Sequence, residues 1–594
     1  MTSSSDHSST MANSNISTTP KVEHAGDNNS LSPTSSSSHN SSSADSEFAQ
    51  DPQSLPDAVG DVENQAKRVK TLDEELDHVE ASDAVSRELS RVLTAAYTTE
   101  EENEHAKTPM PPMGLNKGIP TDFPDPEPYT VSFNGPDDPL HPHNWNMKRK
   151  VWICAIIGAM TAAVAMGSSM YSPGILEVSE EFHIGHVTAT LGISLYVLGF
   201  ATGPVVWAPL SELYGRRPVL LISGLGFVCF TFAVATAKDI QTVMLCRAFA
   251  GIIGAAPLVV VPAAFADLFG NRTRGKAIAI FSMMVFCMPL LAPVIGAFVV
   301  SSYLGWRWTQ YLIGIFGSFS LALVAVFFEE THHPIILVNK AKEIKKRTGN
   351  WLIHAPHDEF ELTVKDIVEK NITRPLIMVA TEPILFLISF YNAFIYGILY
   401  LLLSAYPIVF AEGYRMTGGT SELPYLGLVV GMMFGGAVCL WAEGAYLKAM
   451  DSNGGKIVPE ARLISVFYGS VLFPVGLFWF TWTGNYPDKV HWMAPTAAGV
   501  FIGFGLITIF NGSINYIIDS YLVFAASALA GNTFFRSGFA CAFPLFAVQM
   551  FHAMGTNWAG LLLSCVGFAL VPVPFLFYKY GKRLRAKSKY AFVL

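Results

Sequence analysis

Arg247 stands inside an apolar run, in the pattern Arg247-x-x-x-Gly251-x-x-Gly254. A guanidinium at that depth is costly and is tolerated mainly where it faces a cavity or a partner. The glycines let a second helix approach closely. The spacing alone leaves two readings open, a functional cation and a structural pairing arginine. Polar stripes recur nearby at helical spacing. Asn392, Tyr396 and Tyr400 share one face, as do Asn511, Asn515 and Asp519, and Asn532 with Arg536. Polar stripes in apolar helices face protein or water rather than lipid. Amides adapt their hydrogen bonds and aromatic faces attract cations, which suits a cavity for amphipathic ligands. Interhelical hydrogen bonding is the alternative use of the same residues. Reversible proton uptake needs a carboxylate or imidazole in a low-dielectric site. Glu382 and Asp519 are the candidates, because Ser168, Ser169, Tyr171 and Ser172 on the first apolar run are neutral.

The elements that hold these residues must sit in a bilayer. Of 594 residues, 51% are hydrophobic and 14% charged, against about 25% charged in a soluble domain. Twelve apolar stretches are each long enough to cross, at about 151–172, 187–208, 219–236, 243–266, 277–301, 308–328, 378–406, 424–446, 463–483, 492–517, 521–548 and 556–577. The fold class expected is an all-α membrane protein of twelve spans in two six-helix halves, the arrangement of a rocking carrier. Counted from the collar onward, Lys and Arg number twenty-five in the collar, the alternate loops on its side and the C-terminal tail. The opposite loops hold four: Lys238, Arg307, Arg415 and Lys489. That asymmetry predicts both termini in the cytosol. The sequons at Asn15, Asn28, Asn40, Asn271, Asn371 and Asn511 all miss the outside loops, so no glycan is expected.

The domain organisation follows from the charge pattern. Residues 1–130 read as a cytosolic arm, mostly disordered, with a Ser/Thr-rich tract that offers acceptor hydroxyls to protein kinases and short amphipathic helices near 65–98. No signal-peptide pattern opens the chain, so the first span is expected to act as its own insertion signal. Residues 131–150 form an interfacial collar, with Trp145 and the cations Lys148, Arg149 and Lys150. The halves are 151–328 and 378–577, joined by a cytosolic loop at 329–377 and followed by a basic tail at 578–594. Seven cysteines at irregular spacing give no disulfide or metal framework. No metal, nucleic-acid partner, phosphate-cradling loop or enzymatic constellation is expected.

The loop Ala208-Pro-Leu-Ser-Glu-Leu-Tyr-Gly-Arg-Arg-Pro-Val-Leu220 pairs a tight glycine turn with cations at a helix end. Glu212 with Arg216 and Arg217, and Asp267 with Arg274 or Arg272, are expected as conformational latches. Glu329 and Glu330 are expected as an acidic cytosolic mouth. Pro289, Pro293 and Gly296 mark a kinked gate helix.

The 208–220 loop is similar to the major facilitator signature Gly-x-Leu-Ala-Asp-Arg-x-Gly-Arg-Lys-x-x-Leu, with Ala208 and Glu212 in place of Gly and Asp. Together with Asn144-Trp145, Glu329-Glu330-Thr-His-His-Pro334, Thr373-Arg374-Pro375, Glu382-Pro383 and Pro459-Glu-Ala-Arg-Leu463, it resembles the fungal drug:proton antiporters with twelve spans. Within these it is most similar to the yeast polyamine-transporter type and its Candida multidrug-resistance relatives. The resemblance departs at two places. Helix 5 has Met288 and Ala297 where the antiporter signature has glycines, and Lys582 stands where the polyamine-type relative has an acid. The resemblance implies a monomeric, proton-driven exporter of cationic or amphipathic small molecules, such as polyamines and azole-type drugs, without a cofactor, in a fungal plasma or vacuolar membrane. It also implies that Arg247 takes part in proton transfer. A nutrient facilitator or symporter on the same scaffold, and a membrane sensor that does not transport, remain as alternatives.

Overall fold

The computed structural model describes residues 129–135, 137–359, 369–454 and 456–591. Of the expected arm at 1–130, residues 1–128, with the expected helices and acceptor hydroxyls, lie outside the described residues. Twelve described helices are long and apolar enough to cross a membrane. They are numbered here as spans 1 to 12: Met147–Glu181, His186–Leu213, Arg216–Thr236, Ile240–Leu268, Thr273–Val300, Gly305–Phe327, Pro383–Gly413, Gly418–Ser452, Pro459–Gly484, Met493–Tyr521, Ala525–Met554 and Thr556–Lys587. The chain is a multi-pass, all-helical membrane protein. The side that carries the collar, the loop after span 2 and the end of span 12 is called the collar face; the other is the far face.

Glycine decides how the spans meet. A Cβ on Gly251 of span 4 would run into the Tyr196 carbonyl of span 2, and one on Gly199 would run into the Gly251 backbone. Spans 8 and 10 repeat the device, with Gly431 against Val500 and Gly503 against Leu428. Backbones this close gain dispersion contacts that lipid tails cannot replace. Span 5, which runs on through Pro289 and Pro293, is tied to span 1 at close range. Pro293 has no N–H to offer the carbonyl four residues back, and the Ser169 hydroxyl of span 1 donates to that Pro289 oxygen at 2.6 Å. Gly296 lies over Met170 of span 1.

The halves meet through spans 2 and 11 and spans 5 and 8. Ser194 donates to the Cys541 carbonyl at 2.7 Å. On the far face the Ser172 hydroxyl of span 1 donates to the Leu403 carbonyl of span 7 at 3.3 Å.

The collar and the central loop are one layer. Val131 N–H donates to the His354 carbonyl at 2.9 Å, and His354 N–H to the Tyr129 carbonyl at 3.1 Å. Tyr129, Val131, Val338, Ile344 and Ile353 bury a small apolar core beneath the helix His333–Thr348. Asp138 takes the N–H groups of Asn134 and Leu140 at 2.7 and 2.9 Å, and its carboxylate lies 4.0 Å from buried Lys340. Burial lowers the Lys340 pKa and Asp138 opposes that shift. The basic tail is likewise docked: Arg585 holds Glu460 at 2.5 Å, and Lys589 N–H reaches Glu382 at 3.1 Å.

Candidate functional site

Arg247 is 1% exposed. Its guanidinium lies 4.3 Å from the Tyr171 ring centre and 5.2 Å from that of Tyr196, and it donates to the Gly167 carbonyl at 2.7 Å. Its Nε and second terminal nitrogen have no hydrogen-bond partner. Two aromatic faces and one carbonyl hold this cation, and among the described residues no carboxylate pairs with it. The next residue along, Ser168, accepts from Tyr400 of span 7 at 3.0 Å. Tyr400 packs on Tyr396 with ring centres 5.2 Å apart. The Arg536 guanidinium of span 11 lies 4.6 Å from the Tyr396 ring and 5.0 Å from the Phe510 ring. Phe286 of span 5 closes the group, 5.5 Å from Tyr396 and 4.3 Å from Phe510. A chain of contacts therefore runs from the buried arginine of one half to an aromatic and cationic group where the halves meet.

The cavity candidates divide. Tyr396, Tyr400 and Arg536 come together at this centre. Asn392 and Asn532 bond to each other at 3.1 Å, each with one amide atom left unpartnered. Asn511 and Asn515 bond along span 10, the Asn515 amide donating to the Asn511 carbonyl at 2.9 Å. Phe286 and Phe510 escaped the sequence reading because a phenylalanine in an apolar run carries no pattern signal. Glu422 was also missed. It looks like a loop acid, yet it is 5% exposed at the start of span 8, with one carboxylate oxygen unpartnered.

The latches differ from expectation. Glu212 is exposed. Arg216 instead reaches Asp267 at 3.2 Å and Ser211 at 2.6 Å. The reason is the turn at Gly215, whose φ of 95° points span 3 back across the end of span 4. Arg217 donates to the Ala325 carbonyl at 2.8 Å, and Asp267 pairs with Arg216 rather than Arg274. Glu330 does not line a mouth. It accepts the backbone N–H groups of Arg216, Arg217, Thr331 and His332 at 2.9, 3.0, 2.9 and 2.9 Å, so it neutralises the positive end of span 3. Glu329 pairs with Arg149.

Of the proton candidates, Glu382 sits just before span 7 rather than inside it, 4% exposed and held by the tail. Asp519 lies 2.8 Å from Arg462, which also pairs with Glu443 and stacks 3.4 Å over Tyr446. One half-buried arginine thus faces two buried carboxylates, and Glu443 keeps one oxygen unpartnered. That oxygen lies against Gly275 of span 5, in the opposite half.

Two helical halves that enclose a polar centre within a bilayer define a membrane carrier. The family model of the Major Facilitator Superfamily matches residues 157–544. The major facilitator superfamily multidrug transporter FLU1 of Candida albicans is 53% identical over 88% of this chain and 86% of its own length. The multidrug transporters TPO1_2 and TPO1_1 of Candida glabrata are 54% and 49% identical, over 87% and 93% of this chain and 89% and 97% of theirs. The chain belongs to the Major Facilitator Superfamily and is a transporter, not an enzyme.

Proposed function

We propose that this chain is a proton-coupled antiporter that exports amphipathic small molecules from a fungal cell, with the collar face and both termini in the cytosol. The observation that carries the reading is the continuous path from Arg247 through Gly167 and Ser168 to Tyr400, Tyr396 and Arg536. A charge change at one end of this path alters contacts at the interface of the halves, and a carrier can use that to couple two fluxes. The names of the Candida relatives support multidrug export. The Lys and Arg asymmetry supports the orientation. The surplus carboxylate at Glu443, Arg462 and Asp519 is the place where a transported proton completes the charge balance, and its contact with Gly275 links that balance to the closure of the halves. The plasma membrane is the site this reading favours.

Within the substrate class, Arg536 favours aromatic amphipaths, including azole-type drugs, over polyamines. A fixed cation beside Tyr396 and Phe510 repels a polycation, and the same rings stack on an aromatic substrate. The test is efflux of labelled fluconazole and spermidine from cells that express the chain, with and without a protonophore. Protonophore-sensitive efflux of fluconazole in excess of spermidine is expected. Efflux that ignores the protonophore overturns the coupling, and equal or greater spermidine efflux overturns the assignment to Arg536.

A further inference from the structure

Outside the transport path, three histidines from distant parts of the chain converge on the collar face. His141 and His143 come from the collar. His333 opens the helix His333–Thr348, nearly two hundred residues later in the chain. Ring centres are 4.9 Å apart for His141 and His143, 4.4 Å for His141 and His333, and 5.1 Å for His143 and His333. One ring nitrogen from each lies within 4.8 Å of the others.

Each ring is already oriented by a bond to backbone. His141 Nδ1 accepts the His143 N–H at 3.2 Å. His333 Nε2 donates to the Asp267 carbonyl at 2.9 Å, and His143 Nε2 lies 3.5 Å from the Ala266 carbonyl. The bonds of His333 and His143 place the proton on Nε2 and leave the Nδ1 lone pair for a metal, which is how metal-binding imidazoles are held. His141 gives up its bond from the His143 N–H to offer its lone pair. Phe133 packs its edge on His141 at 4.8 Å and walls one side. Asp138 and Lys150 act on His141 with opposite sign.

We propose that His141, His143 and His333 form a three-histidine site for a divalent transition metal, Zn²⁺ being the ion this donor set suits. Zinc takes imidazole nitrogen at about 2.0–2.1 Å and accepts three histidines with water in the fourth position. The nitrogens need to close by about an ångström to reach that geometry, and the exposed His143 is free to make the move. Carboxylate-seeking ions such as Mg²⁺ and Ca²⁺ find no oxygen ligands in the triad. The bound ion ties the collar to the helix after span 6. Because Asp267, which pairs with Arg216, supplies the backbone carbonyl that orients His333, the ion also braces the end of span 4. It acts as a clamp on the N-terminal half.

The test uses the full chain, purified in detergent without a polyhistidine tag and stripped with EDTA, and titrated with Zn²⁺ alone. The chain has 15 histidines, so variants must separate this site from the rest. His141→Asn keeps an acceptor near the Nδ1 position and removes the outer nitrogen. His333→Gln keeps a donor for the Asp267 carbonyl and removes the other lone pair. The wild type is expected to bind one more Zn²⁺ per chain than either variant, and to melt at a higher temperature with Zn²⁺ than with EDTA. Either variant should weaken this ion about tenfold or more while its melting in EDTA is unchanged. Equal Zn²⁺ stoichiometry in all three proteins overturns the site. Should a variant fail to fold, the wild type decides through histidine carbethoxylation read by mass spectrometry. Zn²⁺ should protect His141, His143 and His333, and failure to protect them overturns the proposal.

Discussion

The two halves solve one problem at the collar face with different charges. In the N-terminal half an arginine at the start of span 3, Arg216, bonds Ser211 of span 2 and Asp267 of span 4. In the C-terminal half an arginine at the start of span 9, Arg462, bonds Glu443 of span 8 and Asp519 of span 10. The spans correspond, the arginines correspond, and the last partner is an aspartate in both. The difference is Ser211 against Glu443. The first network balances one cation with one carboxylate; the second leaves a carboxylate in excess. The N-terminal network therefore serves as a fixed brace, reinforced by Glu330 at the positive end of span 3. The C-terminal network has a charge to spare, placed against span 5 of the other half. Near-equal scaffolds thus carry unequal electrostatics, and in our reading only the unequal one couples.

The largest effect expected tests what the halves share. Gly251→Val and Gly503→Val each force a branched side chain into a facing backbone, a cost of about 3 kcal/mol or more where the backbone cannot yield. Both variants should fail to give a monodisperse peak in size-exclusion chromatography. A well-folded Gly503→Val beside a misfolded Gly251→Val would break the equivalence of the packing.

Next comes the arginine pair. Removing one partner of a buried ion pair costs about 3–5 kcal/mol because the remaining charge is uncompensated. Arg462→Ala leaves two carboxylates and should lower the melting temperature more than Arg216→Ala, which leaves one. Adding Glu443→Gln to Arg462→Ala should recover part of the loss. An equal drop for both arginines, or no recovery, removes the asymmetry on which the comparison rests.

Arg247→Ala separates function from folding. A hydrogen bond to a charged group is worth about 1.5–3 kcal/mol, so losing the bond to Gly167 should cut efflux about tenfold or more, with the protein still at the cell surface. Unchanged efflux would detach Arg247 from the path. The smallest effect belongs to Glu212→Gln. Exposed charges contribute about 0–1 kcal/mol, so its melting temperature should match the wild type, whereas Asp267→Asn should be visibly destabilised. The reverse order would restore the latch expected from the loop motif.

The spans were legible because a bilayer demands about twenty consecutive apolar residues from each, and no packing detail can hide such a run. Their ends were less so. Span 7 was expected at 378–406 and runs Pro383–Gly413; span 8 was expected at 424–446 and runs Gly418–Ser452. Helices continue past the hydrocarbon wherever their backbones stay hydrogen-bonded, and hydropathy does not register that. Stripe spacing put Tyr396 and Tyr400 on one face, which the structure confirms. It did not separate them from Asn511 and Asn515, because helical period reports a shared face and not what that face meets.

What the sequence by itself determined is the twelve spans, the charge asymmetry of the loops, the arginine at bilayer depth and the family resemblance. Each depends on composition or on spacing within one helix. What only the tertiary structure decided is every pairing across the chain: Arg216 with Asp267 instead of Glu212, Glu330 as the cap of span 3, Arg462 between two carboxylates, and His333 beside His141 and His143. Partners for a charge are chosen by distance through space. Turns such as the one at Gly215 set that distance, by directing whole helices whose meeting no local pattern records.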